Sequence, residues 1–129
     1  MKSRLVYVEL KSGHSDNGPA WIGIAVFSKS RRTVYFNGLS LKKSGGQCIA
    51  GNHYELQTGD EYWVSGIKKN NQDRHLCGGG PIIIDDLAIG QYLNETGSSQ
   101  LPKNMSPGTL ISSEINPKHH ALENKPLYD

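Results

Sequence analysis

Cysteine is scarce in this chain: only Cys48 and Cys77 among 129 residues. One pair cannot form the disulfide framework that small secreted scaffolds use in place of a core. Long apolar runs are missing too. None approaches the roughly 18 residues that a bilayer-spanning helix requires. The opening stretch MKSRLVYVELKSG holds no apolar segment long enough for a secretory signal. The expectation is a cytoplasmic protein of bacterial type, with reduced thiols and no membrane partner. A strong net charge is also absent. At +2 the chain has no overall field that by itself implies nucleic acid. There are no internal repeats and no alternation of strand with helix, which sets aside solenoids and parallel α/β folds.

What is present is a chain long enough for one domain with a real core. Short runs alternate in polarity between turn signals. Residues 4–11, RLVYVELK, are apolar on both parities and read as a central strand. In 20–28, AWIGIAVFS, one face carries Ile22, Ile24 and Val26. The other carries Trp21, Gly23, Ala25 and Phe27, where small residues suggest a close-lying backbone. TVYFNG (33–38) follows as a further β-rich run. The Gly-rich stretch 40–52 reads as a bend or loop rather than a straight strand. TGD at 58–60 signals a hairpin with Gly59 at positive φ, joining HYEL to EYWVSGIK. IIID (82–85) is an apolar run. Asp85 or Asp86 can cap a short helix over 86–93, with Leu87, Ile89, Tyr92 and Leu93 at helical spacing.

About six strands and one helix predict a mainly β domain over 1–94, a small SH3-like or OB-like barrel or a bent antiparallel sheet. Residues 95–129 hold four of the six prolines and few aliphatics. They read as an extended tail, either disordered or laid along the barrel or a partner.

The segments YVELKSG, DNGPAWIGIAVFSKSRRTVYFNG, GNHYELQTGDEYWVSGIKKNNQDRH and IIIDD together resemble a family of small, uncharacterised bacterial proteins. The resemblance covers roughly residues 6–94. The chain has DRHLCG where the family pattern has DRHWAG, and Cys48 where that pattern has no cysteine. Members have been labelled deoxyxylulose-phosphate synthase. The chain has neither the length nor the βα alternation of a thiamine-dependent enzyme built on large α/β domains, so the resemblance implies no catalytic residues and no cofactor.

Charge is unevenly placed. Residues 28–75 carry Lys29, Arg31, Arg32, Lys42, Lys43, Lys68, Lys69 and Arg74 against Glu55, Asp60, Glu61 and Asp73, whereas residues 76–129 are net acidic. A basic middle suggests an anionic partner. The densest stretch is KKNNQDRH, 68–75. With Asn70–Asn71 at the turn, Lys68 faces Asp73 and His75 faces Gly66. Lys69, Arg74 and His75, with backbone N–H groups of Gly78, Gly79 and Gly80, can gather donors for a phosphate. The basic residues at 29–32, Arg31 and Arg32 among them, and Lys42 and Lys43 back that surface. The bland alternative is a solvated hairpin tip. Trp63 or Tyr62 is a candidate stacking surface, since alternation turns only one of them inward.

Rival readings use other residues. Cys48, His53, His75 and Cys77 could hold zinc, though their spacing misses the common patterns. Asp73, His75 and Cys77 could form a nucleophilic site if the strand bends. His119–His120 reads as a tail feature. The favoured reading is a non-enzymatic binding module for nucleic acid or a phosphorylated partner, with no cofactor. The alternatives are a small Cys/His enzyme or zinc protein, and an adaptor that self-associates through its tail.

Overall fold

Period-two alternation is satisfied by a sheet that closes on itself. The computed structural model describes residues 2–13, 18–44, 51–69 and 80–111. Strands β1 (Lys2–Leu10), β2 (Ala20–Phe27), β3 (Thr33–Phe36), β4 (Leu39–Lys43), β5 (His53–Glu55) and β6 (Glu61–Gly66) pair antiparallel in turn. β6 returns to β1, which completes a six-stranded antiparallel barrel. Val6, Val8, Ala25, Phe36, Leu41, Tyr62 and Val64 fill its interior. A second core lies outside, where Leu5, Tyr7, Ala20 and Ile22 meet Ile84, Ala88 and Tyr92. β1 is therefore covered on both faces, as its double apolar pattern predicts.

The outer cover comes from β7 (Ile82–Asp85), a 3-10 turn (Asp86–Ala88), α1 (Ile89–Thr96) and β8 (Met105–Gly108). The Asp85 carboxylate caps the turn by accepting the Leu87 N–H at 3.2 Å. The expected short helix forms, and Ile89, Tyr92 and Leu93 pack on the outer core as their spacing suggests. Leu87 departs from that pattern: it is 92% exposed, and Ala88 is buried beside Tyr92. The cap starts a tighter turn, which shifts the helical register before Ile89.

Two further expectations are corrected. Residues 39–43 form β4, because Leu41 pairs with both Val34 and Glu55 and is fully buried; the glycines come after the strand ends. The added strands are parallel: β7 runs alongside β2 at Trp21 and Ile22, and β8 alongside β7. They use the edge of β2 that β3 leaves free, since β3 pairs only at Val26 and Phe27.

Gly23 sits at this fork. A Cβ there would lie 2.9 Å from Leu110 Cδ1 and 3.2 Å from Phe36 Cε1. The close neighbours are side chains, not the backbone that the small residues suggested. Leu110 packs against the barrel interior from the segment after β8. The Ile111 N–H then donates to Asn37 Oδ1 at 2.9 Å. Residues 97–111 are thus laid along the barrel. Among the described residues no helix is long and apolar enough to cross a membrane.

The outer face of β1 ends in charge. Glu9 and Lys11 are 0% and 2% exposed, and Lys11 Nζ lies 2.8 Å from Glu9 Oε2. The Tyr7 hydroxyl donates to Glu9 Oε1. Removing one partner of a buried pair leaves an uncompensated charge. Lys11→Met is expected to lower the unfolding free energy by about 3 kcal/mol in urea denaturation. A change under about 1 kcal/mol would show that solvent or another cation takes over.

Candidate cationic mouth of the barrel

Each inner-face stripe changes character at one end of the barrel. On β1 the stripe runs Val8, Val6, then Arg4. On β4 it runs Leu39, Leu41, then Lys43. On β2 it ends at Phe27, and on β6 it ends at Val64 and Gly66. The antiparallel registers bring these ends together: Val6 pairs with Gly66, and Lys43 with His53. They enclose a cavity of about 230 Å³ lined by Arg4, Val6, Phe27, Arg31, Lys43, Asn52, His53, Val64, Ser65 and Gly66.

Glycine at 66 makes room for one of the cations. A Cβ there would lie 2.5 Å from Arg4 Nη2, so the guanidinium lies over the bare backbone. Arg31 arrives from the β2–β3 turn at a positive φ of 63°, unusual for a side-chain-bearing residue. The turn is held by the Arg31 N–H donating to Ser28 O at 2.9 Å and by Thr33 N–H donating to Ser28 Oγ at 3.2 Å.

Asn52 fixes the cavity wall by acting as a stand-in for strand backbone. Its Nδ2 donates to Val64 O at 2.8 Å, and its Oδ1 accepts the Val64 N–H at 2.8 Å. That orientation assigns the neighbouring ring. His53 Nδ1 lies 2.9 Å from the same Oδ1, so Nδ1 must be the protonated donor. Nε2 is left as an acceptor. Burial, and then the charge of Lys43, lower the imidazole pKa to about 4. The ring is neutral near pH 7.

Among the described residues no carboxylate lines the cavity. Glu55 continues the inner face of β5, but backbone donors occupy it: Oε1 accepts from Gln57 and Thr58 at 2.9 and 3.2 Å, and Oε2 from Ser40 at 3.3 Å. Among the described residues Arg4, Arg31 and Lys43 form no ion pair. Three cations on three separate elements therefore border one concavity with no neutralising carboxylate among the described residues.

Of the residues singled out in the sequence, Arg31, Lys43 and His53 reach this cavity. Arg32 is exposed, and its carbonyl accepts the Lys43 N–H at 2.7 Å. Lys69 is exposed beyond the end of β6. Gly80, whose carbonyl accepts from Asn104 Nδ2 at 3.1 Å, precedes β7 near the Trp21 end of β2, away from Phe27. Trp63 packs against the outer core, while Tyr62 faces inward. Arg74, His75, Gly78 and Gly79 lie outside the described residues, as do Cys48, Asp73, Cys77 and His119–His120. Among the described residues no three His, Cys, Asp or Glu side chains group to hold a metal.

Sequence reasoning missed Arg4 and Asn52. Arg4 carried a signal: the same-parity series Arg4, Val6, Val8 ends in a cation, as does Leu39, Leu41, Lys43. Following the inner face of β1 to its last residue would have found Arg4. Comparison with family models, curated proteins and solved structures returns no match.

The depressed pKa of His53 has a consequence for stability. The unfolded imidazole titrates near 6.5, so as pH falls from 6.5 toward 4 the unfolded chain takes up the proton first. Stability contributed by the neutral ring is present above that window and lost within it. Wild type is expected to lose about 1–3 kcal/mol more than His53→Gln between pH 7 and 4 in urea titrations. Equal losses would mean that His53 titrates normally.

Proposed function

We propose that the protein is a binding module for a phosphate-bearing anion, seated in the cationic mouth of the barrel. One observation carries this reading: Arg4, Arg31 and Lys43 line a concave site that no carboxylate among the described residues lines. Exposed cations usually do no more than solvate a surface. Here they converge from β1, β4 and the β2–β3 turn, with Asn52 bonding the wall in place. Arginine suits such a role because its planar fork matches phosphate oxygens. The reading places the barrel with small SH3-like and OB-like binding modules and the protein in the cytoplasm. It also moves the site from the 66–80 hairpin to the barrel end that Gly66 borders.

Arg31→Gly separates binding from folding. Glycine adopts the positive φ of this turn without steric conflict, so the urea midpoint should hold or rise. Affinity for inorganic phosphate at low salt, measured by calorimetry, should fall about tenfold with the loss of one charge-assisted contact. Wild-type affinity should also weaken as salt rises. Absence of wild-type binding at low salt would overturn the proposal.

A further inference from the structure

We infer that the mouth of the barrel selects a small phosphomonoester over sulfate and over phosphodiesters, with His53 as the selecting residue. The inference rests on the anion-binding reading and deepens it. Its ground is the protonation pattern that the wall imposes. Asn52 Oδ1 accepts from both the Val64 N–H and His53 Nδ1, at 2.8 and 2.9 Å. The ring's remaining polar atom, Nε2, is therefore a lone-pair acceptor. Among the described residues it has no hydrogen bond of its own, and the ring borders the cavity.

A bare acceptor repels an anion oxygen unless a proton lies between them. The groups around His53 do not supply one at neutral pH. Lys43, opposite it on β4, and Arg4 and Arg31 across the cavity are cations that donate to the anion itself. Tyr62, opposite on β6, has its phenol pKa raised by burial and by the Asp60 and Glu55 carboxylates, so it stays neutral.

The ligand must then bring the proton. A phosphomonoester has its second pKa near 6, so near neutrality it can hold one acidic O–H. That O–H donates to Nε2, and the low basicity of the imidazole leaves the proton on the phosphate oxygen. Sulfate has nearly the same shape but carries no proton at this pH. A phosphodiester carries none either. The three cations attract each of these anions according to its charge, and the imidazole tells apart those that bring a proton from those that do not.

Size restricts the rest of the ligand. At about 230 Å³ the cavity falls below the roughly 300–1,000 Å³ of pockets for drug-sized molecules. Beyond the cations its wall offers Val6, Phe27 and Val64. A phosphoryl group with a short organic remainder fills a space of this size.

Calorimetry at pH 7 and low salt with methyl phosphate, sodium sulfate and a short oligonucleotide without terminal phosphate, whose anions are all phosphodiesters, tests this directly. Methyl phosphate is expected to bind at least tenfold more tightly than sulfate, and the oligonucleotide no more tightly than methyl phosphate. In His53→Gln the preference over sulfate should shrink toward unity while sulfate affinity holds. Equal wild-type binding of methyl phosphate and sulfate would overturn the inference and leave the anion site standing. Much tighter binding of the oligonucleotide would overturn the small-ligand assignment. Binding of no probe would overturn the anion-binding reading itself. The wild-type comparison decides the matter even if His53→Gln fails to fold.

Discussion

From Lys2–Phe27 to Glu9–Ala20, β1 pairs along its length with β2, and its other edge pairs with β6 from Val6–Gly66 to Leu10–Tyr62. This double pairing of one strand closes the sheet. Closure divides side chains into an inner and an outer set with no intermediate choice, because a one-residue slip would exchange the sets. It also leaves barrel edges paired, which removes an aggregation hazard. Inner residues in mid-strand are buried by their neighbours. Those at the strand ends face a concavity, and at one end these are Arg4, Phe27, Lys43, His53 and Gly66. The cavity follows directly from closure.

The molecule treats its charges in three ways. Glu9 and Lys11 neutralise each other beneath the outer cover. Glu55 is buried on the inner face and satisfied by backbone N–H groups. Arg4, Arg31 and Lys43 border the mouth and form no ion pair among the described residues. Two like charges several ångströms apart repel by a few kcal/mol at most in a partly solvated site. An anion between them removes that repulsion, so ligand binding and stability rise together. The low pKa of His53 is part of the same field.

Much of the fold was legible in the sequence. Alternation located β1, β2, β3, β5 and β6, and the double apolar pattern of β1 marked it as central. The turn chemistry around Gly59 was legible too, and Gly59 has φ 76°. What escaped depends on contacts between distant segments. β4 was obscured because glycines that follow Lys43 dominate its window. The parallel docking of β7 depends on β3 leaving half of β2 unpaired, which no local pattern records. Leu87 kept helical spacing but lost its burial once the Asp85 cap tightened the first turn.

The site was legible only in part. Charge density drew attention to 68–75, whereas convergence in space selected Arg4, Arg31 and Lys43. These lie far apart in the chain, so no spacing motif unites them. Asn52 acts as a backbone surrogate for β6, a role that its side chain shows only once β5 and β6 are paired. His53 was noticed for metal ligation, yet its meaning here comes from which nitrogen Asn52 engages.

The central claim is that an anion sits at the end of the barrel rather than on an exposed basic loop. Titrating inorganic phosphate into the isotopically labelled protein and following backbone amide shifts by NMR locates the site directly. The account predicts saturable shifts centred on Arg4, Arg31, Lys43, Asn52, His53 and Gly66. Saturable shifts confined to Lys68 and Lys69, with the barrel mouth unmoved, would contradict it.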